Sequence, residues 1–259
     1  MASGIDDAEL LARQRASQAA YYRLLGDGHP DSFVAEPLPG LQATVAPISP
    51  DRSLPNAVVY EDPDLVLQAH EQLVALYAGA GVRAWTVWVR PGDDALVSEL
   101  EARGHAVDGT PAIMGAPIAE LDVDPRVELD LDPQPTWRAV GQLNDAAYGV
   151  PPGSLRDPLA GLPPDCATVL VARSGGEPVA CAVFETTGGD CEAAFVATLP
   201  AARGQGLCGE LMREGLRRGR DAGATSATLE GSPMGQPVYE RLGYRILGRM
   251  RMLELRSAP

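Results

Sequence analysis

Between Val196 and Gly209 the chain runs a β-type segment into a glycine-rich turn that opens a helix. Gly204 and Gly206 leave the backbone bare there, so successive N–H groups can approach an anion at the positive end of the helix dipole. Arg203 adds a cation beside them. A strand, a bare turn and a helix in this order require a βα unit, so the reading is α/β. Gly204, Gly206 and Gly209 also spell G-x-G-x-x-G, and Glu230 follows at about the distance of the ribose carboxylate in a dinucleotide site. Fewer than about thirty residues remain after Glu230, too few for the further βα units such a site needs.

Arg203-Gly204-Gln205-Gly206-Leu207-Cys208 resembles the Q/R-x-x-G-x-G/A pyrophosphate loop of the GNAT superfamily of N-acetyltransferases. About thirty residues on, Ser232 to Tyr244 is similar to that family's closing N-x-x-A-x-x-x-Y-x-x-x-G-F/Y element. Cys208 stands where the family has Gly or Ala, Ser232 where Asn is usual and Gly235 where Ala is usual. All three are small or polar replacements. The resemblance implies acetyl-CoA as cosubstrate, with its pyrophosphate on Arg203, Gly204, Gln205, Gly206, Leu207, Cys208 and Gly209, and with Ser232 beside it. It also implies a bulged strand before the loop, splayed from its neighbour, whose backbone at Val196, Ala197 and Thr198 pairs with pantetheine and the thioester carbonyl.

Acetyl transfer from a thioester to an amine needs a site for the pyrophosphate, polarisation of the carbonyl, a base for the ammonium proton and an acid for the departing thiolate. Glu192 resembles the strand glutamate of histone-type members and is the expected base, with Glu185 and Asp190 as rivals. Tyr239 is the expected acid. A free phenol with pKa near 10 donates to a thiolate whose conjugate acid lies near 8.5 at a cost of only about 2 kcal/mol. Tyr244 reads as core. Arg213, Arg217, Arg218 and Arg220 read mainly as a solvated face, with one available for the 3′-phosphate of coenzyme A.

Composition narrows the partners. The net charge is −14, and the first 125 residues carry 19 acidic and 7 basic side chains, so almost the whole excess lies in the first half. Nucleic acid binding needs a basic face and is not expected. An acidic face beside the site would favour a cationic acceptor. All 21 basic residues are arginine. No window reaches the roughly 18 apolar residues of a membrane span, and the acidic N-terminus lacks a signal-peptide pattern. The expectation is a cytoplasmic protein without a membrane partner. Cys166, Cys181, Cys191 and Cys208 lack C-x-x-C spacing and His is scarce, so neither a metal site nor a disulfide framework is expected. The oligomeric state is not legible.

The chain reads as two similar halves, residues 1–125 and 126–259. The first shows a helix at Asp7–Leu25, strand runs at Leu41–Ala46 and Ala57–Tyr60, a helix at Pro63–Ala78, a strand at Val82–Val89, a helix at Asp94–Ala102 and a closing strand pair between His105 and Ile118. The second shows a strand at Val127–Leu131, a helix at Thr136–Tyr148, strands at Ala167–Arg173, Pro178–Glu185 and Cys191–Thr198, a helix at Gly206–Asp221, a strand at Thr225–Glu230, a helix near Gly235–Leu242 and a last strand ending near Leu255. Each half is then a twisted, mixed and mainly antiparallel sheet flanked by helices. Leu100 to His105 falls where Tyr239 to Tyr244 falls, but Glu61-Asp62-Pro63-Asp64 replaces the glycine loop and Leu100 replaces the tyrosine. The first half therefore resembles a degenerate acetyltransferase fold without a cofactor site, in the tandem layout of mycothiol synthase. The acceptor reads as an amine, small molecule or peptide, lying between the halves. Two other classes fit the same residues: a non-catalytic acyl-CoA sensor, and an acetyltransferase whose first half recruits a polypeptide.

Overall fold

The acids at the start of the chain have a local structural role. Asp6 accepts the Glu9 N–H at 2.9 Å, and Asp7 and Glu9 sit in the first turn of α1 (Asp7–Gly26), where the dipole favours negative charge. In the computed structural model, which describes residues 4–257, there follow β1 (Phe33–Leu38), β2 (Leu41–Val45), β3 (Ala57–Tyr60), α2 (Pro63–Gln68), α3 (His70–Gly79), β4 (Ala84–Val89), α4 (Asp94–Ala102), β5 (Ala106–Gly109) and β6 (Ala112–Pro117). The second half contributes α5 (Trp137–Tyr148), α6 (Arg156–Leu159), β7 (Thr168–Ser174), β8 (Glu177–Thr187), β9 (Asp190–Thr198), α7 (Leu207–Asp221), β10 (Ser226–Gly231), α8 (Gln236–Arg241), β11 (Arg245–Arg249) and β12 (Arg251–Arg256). None of the described helices is long and apolar enough to cross a membrane.

These strands form two six-stranded sheets of the same plan. The orders are β1-β2-β3-β4-β12-β5 and β7-β8-β9-β10-β6-β11. One neighbouring pair in each is parallel, β3 with β4 and β9 with β10, and the others are antiparallel. The repeat extends to the caps. Leu100 O accepts from His105 N and Tyr239 O from Tyr244 N, at 3.0 and 3.1 Å, and each turn passes through a glycine at positive φ.

The two sheets trade their last strands. β6, from the first half, lies between β10 and β11, while β12, from the second, lies between β4 and β5. The paths cross where the buried Met250 donates its N–H to Pro111 O at 3.0 Å. The expected closing pair between His105 and Ile118 is therefore two strands that pair with other partners rather than with each other. A boundary after Pro125 divides the sequence but not the sheets. Side chains of both halves also share one core, with Tyr22, Trp88, Ile113, Phe195 and Met250 in a single cluster.

Other local expectations need correction. Residues 127–131 form no strand, because Arg126 N and Val127 N are tied to Glu210 on α7 and only the end of the segment reaches β7, where Leu131 lies opposite Ala172 and Asp130 O accepts from Arg173 N. The helix expected over Pro63–Ala78 bends at Ala69 (φ −96°, ψ 5°), although Ala69 N and Leu73 N keep their i→i−4 bonds. β1 and α6 carry too little periodicity to be read from sequence.

A buried histidine pair holds one exchanged strand. His105 Nδ1 lies 3.0 Å from Leu253 O on β12, so it carries the proton, and His105 Nε2 then accepts from His70 Nε2 at 3.0 Å. His105, the acceptor, must be neutral for this. Burial pushes His105 down to about 4 and lowers His70 as well. A depressed histidine contributes stability that is whole above its unfolded pKa near 6.5 and is lost as pH falls toward about 4, to roughly 3 kcal/mol for His105. Glu230, whose pKa is raised to about 7, has the opposite sign over part of that window. The expected result is that the stability advantage of wild type over His105→Leu, read from urea unfolding, shrinks between pH 7 and pH 4.5. A pH-independent difference contradicts this account of the pair.

Candidate active site

The site begins where two strands part. β9 and β10 are paired from Asp190 with Ser226 to Ala193 with Leu229, and no further. On its other edge β9 pairs β8 through a bulge. Ala194 faces Val183 and Ala197 faces Cys181, leaving Phe195 and Val196 opposite Ala182 alone. Phe195 takes φ 48°, a left-handed conformation costing of order 1–3 kcal/mol for a non-glycine residue. Its surroundings impose that conformation. The ring packs on Tyr21 and Trp137 at centroid distances of 5.4 and 6.2 Å, and its carbonyl accepts from Asn144 Nδ2 and Cys181 Sγ at 3.2 and 3.3 Å.

A cavity of about 520 Å³ opens at this fork. Val196, Ala197, Thr198, Arg203, Gly204, Gly206, Leu207, Cys208, Gly209, Ser232 and Tyr239 all line it, whereas Gln205 does not. Gly204 and Gly206 have φ of 78° and 80°, and a Cβ at either would meet only open space. No side chain caps α7 at Gly206, so its first-turn N–H groups are available to an anion. The cradle thus fits a pyrophosphate, and a side chain at Gly206 would project into open space beside those N–H groups. Arg203 is not a free cation: Nε donates to Thr198 O and Nη2 to Ala147 O, at 3.2 and 2.8 Å, so it staples the loop to the bulged strand and to α5.

The arginines of α7 are engaged as well. Arg213 pairs with Asp122 and Glu210, Arg217 and Arg218 with Glu214, and Arg220 with Asp221. The exposed Arg241 on α8 lines the same cavity and has no acidic partner among the described residues. It is better placed than any α7 arginine to meet a phosphate.

Tyr239 is 6% exposed and reaches the cavity from α8. Gly235, where the motif usually has Ala, lets the ring lie close, since a Cβ there would stand 2.8 Å from Tyr239 Cε2. Burial, with Cys208 and Tyr148 nearby, holds the phenol well above its usual pKa of 10. Donation from it is costlier than the free-solution figure unless the thiolate beside it is desolvated too. Cys208 is itself pushed up to about 11 by burial and stays a thiol at neutral pH. Tyr244 is buried beneath Tyr239, with ring centroids 6.1 Å apart.

A second cavity, about 320 Å³, adjoins the first and shares Tyr148, Val196, Ser232 and Tyr239 with it. Glu192 lies in its wall, 2% exposed, with Oε2 lacking any partner. Beside it is Glu230, two residues beyond Thr228, the register partner of Glu192 on β10. Burial raises both carboxyls, Glu192 far above the ordinary range and Glu230 to about 7, and their mutual repulsion adds to the rise of Glu192. Such a pair keeps at least one proton near neutrality. Asp190 is consumed by hydrogen bonds from Ser17, Ser226 and Thr228, and Glu185 is bonded to Thr187 Oγ1 at 3.0 Å. The cover over the pair is α1, whose Gln14 and Gln18 donate to Glu230 Oε1. No group of His, Cys, Asp and Glu among the described residues could hold a metal ion.

Sequence reasoning missed Glu230 and Tyr148. Tyr148 donates to Val196 O at 3.1 Å from the end of α5, and nothing local in the sequence marks it. Glu230, weighed in the sequence only as a dinucleotide-type carboxylate, had a signal: it stands near the end of β10, just before the Ser232 motif.

The first half has a cavity of about 580 Å³ at its own strand ends, lined by Glu36 and Glu61 as well as Arg15, Arg23 and Arg90, but the same plan makes no second anion cradle there. β3 and β4 also part after two parallel pairs, Ala57 with Thr86 and Val58 with Val87. There the ends are bridged. Tyr60 OH accepts from Arg90 N at 3.1 Å and donates to Asp93 Oδ2 at 2.7 Å, while the Arg90 guanidinium lies 4.4 Å from the Tyr60 ring. At the start of α2, Asp62 accepts the Asp64 N–H at 2.9 Å, so a carboxylate already holds the place of an anion.

Residues 165–246 match the family model described as "Acetyltransferase (GNAT) domain". Among solved structures, a GCN5-related N-acetyltransferase from Kribbella flavida is 22% identical, with a TM-score of 0.65 over 94% of this chain and 95% of that one. One from Sphaerobacter thermophilus is 16% identical, with a TM-score of 0.58 over 85% and 81%. A putative GNAT-family acetyltransferase from Novosphingobium aromaticivorans is 17% identical, with a TM-score of 0.55 over 91% and 97%. No curated protein matches the chain in sequence. The glycine loop, the parted strands and the tyrosine helix thus lie in the segment that matches, and residues 165–246 of this chain carry a GNAT acetyltransferase domain.

Proposed function

We propose that the chain is an acetyl-CoA-dependent N-acetyltransferase that passes the acetyl group directly to a small amine. The observation that carries this reading is the meeting of two cavities at Tyr148, Val196, Ser232 and Tyr239, one with an anion cradle and the other with a carboxylate pair. Acetyl-CoA, when bound, supplies an activated acyl thioester. The Gly204–Gly209 backbone would hold its pyrophosphate, Arg241 would face its phosphates, and the β9 edge facing away from β8 would receive the pantetheine arm.

The remaining chemistry belongs to side chains. The Glu192–Glu230 pair takes a proton from the incoming ammonium, the freed amine nitrogen bonds to the acyl carbon, and the carbon–sulfur bond breaks. Tyr239 gives its proton to the departing sulfur and is restored by the second proton, which the nitrogen sheds as it becomes an amide. The raised pKa of Cys208 supports direct attack over an acyl-cysteine route. The size of the second cavity, near the low end for ligand sites, supports a small acceptor over a folded protein.

A base with a pKa of about 7 must lose its proton before it can act, so activity should rise with pH through about 7. Glu230→Gln should lower kcat/KM at pH 7 by roughly 10²- to 10³-fold and move the ascending limb toward the amine's own pKa near 10. A pH–rate profile of the variant that keeps the limb near 7 removes Glu230 from the base. Loss of acetyl-CoA binding in the same variant would place it in the cofactor cleft instead.

A further inference from the structure

The acceptor cavity has a polarity that proton removal alone does not require. Its acids, Glu192 and Glu230, stand on the second sheet, and its free donors stand on the wall built by the first half. Trp88 on β4 is 7% exposed, and its buried indole N–H, beside the Tyr22 phenol, makes no hydrogen bond of good geometry. Arg52, in the loop between β2 and β3, lines the same cavity half-buried, and its guanidinium meets no acid among the described residues. That loop is rigid at its base. The fully buried Asn56 donates to Ser49 O and Arg52 O at 3.0 and 2.8 Å, and Arg52 N donates to Ser49 O at 3.1 Å. Asp108 also lines the cavity, but it is exposed, so water screens it more than it screens Arg52. Between the two walls run aromatic rings, with Tyr21 to Tyr22 at 5.2 Å and Tyr22 to Trp88 at 6.0 Å.

A desolvated indole donor and an uncommitted guanidinium call for an anionic oxygen on the ligand, since an unpaired buried donor is costly. We propose that the acceptor is a small amine that also bears a carboxylate, an amino acid, with its amine at Glu192 and Glu230, its carboxylate on Arg52 and the Trp88 indole N–H, and its carbon skeleton against the aromatic rings. This rests on the reading of the site as an N-acetyltransferase. The amine can be the α-amine or one further along the chain, and the assay separates these.

Thiol release from acetyl-CoA is followed with the common α-amino acids and with ω-amino acids of three to six carbons. Each is paired with the amine that lacks its carboxylate. At least one amino acid should exceed its matched amine in kcat/KM by roughly 10- to 100-fold, the range for a charge-assisted hydrogen bond. Whether it is an α- or an ω-amino acid identifies the position of the amine. Arg52→Met should bring that ratio to within a few-fold, mainly through KM, and Arg52→Lys should restore part of it. Trp88→Phe, which removes only the N–H donor and a ring, should also narrow the ratio. Binding of acetyl-CoA to each variant reports that it has folded. Amines turned over as well as their amino acids, or a ratio indifferent to Arg52→Met, overturn this inference and leave the acetyltransferase reading in place. No turnover of any compound while acetyl-CoA still binds overturns both.

Discussion

Cutting the chain after Pro125 is expected to yield two fragments that do not fold when made separately. The first fragment would keep β6 without its sheet and lack β12, the strand that joins β4 to β5. The second would lack β6, which joins β10 to β11, and α1, which covers Asp190 and Glu230. Every residue of β6 is buried, including Ile113 and Met114. Exposing large apolar side chains costs about 1.5–3 kcal/mol each. A few such residues, with the unmet hydrogen bonds of two sheet interiors, match the whole 5–15 kcal/mol stability of an ordinary domain. Separate fragments should show collapsed near-UV circular dichroism or precipitate, while co-expressed fragments should associate and regain coenzyme A binding. A 126–259 fragment that is monomeric, cooperatively folded and binds coenzyme A contradicts this reading of the exchange.

Tyr239→Phe should lower kcat by roughly 10²- to 10⁴-fold, the span expected for a lost general acid. The change removes one oxygen and keeps the ring that packs on Tyr244 and under Gly235, so acetyl-CoA affinity and thermal stability should hardly move. The deficit should be smaller with a donor whose thiolate leaves without protonation, such as an acetyl thioester of an acidic aryl thiol. Wild-type kcat in Tyr239→Phe, or an equal loss with both donors, would return the residue to a packing role.

Much of this architecture was legible because its signals are local. The apolar run Ala57–Tyr60, the Asp and Pro at the start of α2, and the glycines around α7 each act within a few residues, so β3, the start of α2 and α7 fall close to where the sequence puts them. The strand exchange was not legible. β6 and β12 have ordinary strand patterns, and which sheet takes each depends on the crossing at Met250 and Pro111, 139 positions apart in a 259-residue chain. The site divides in the same way. The cradle residues come from one contiguous segment and could be named in advance. Glu230 gains its meaning only beside Glu192 and under Gln14, which come from three elements. The α7 arginines, read mainly as a solvated face, do include the exposed Arg218 and Arg220, but their ion pairing was not legible because it is set by geometry: the run is neutralised by Glu210, Glu214 and Asp221, while Arg241, isolated in sequence, is left facing the cavity.

On the proposed function, one cleft, in the second half, holds the acyl donor. Calorimetric titration with coenzyme A tests it most directly, on wild type, Gly206→Ala and Gly206→Glu. Gly206 has φ 80° with open space beyond it, so Ala adds strain of about 1 kcal/mol and little else. Glu puts a like charge and a side chain where the pyrophosphate would lie. The expected result is one equivalent per wild-type chain, modestly weaker binding to Gly206→Ala and none to Gly206→Glu. Two equivalents in wild type, or unchanged affinity in Gly206→Glu, would contradict it.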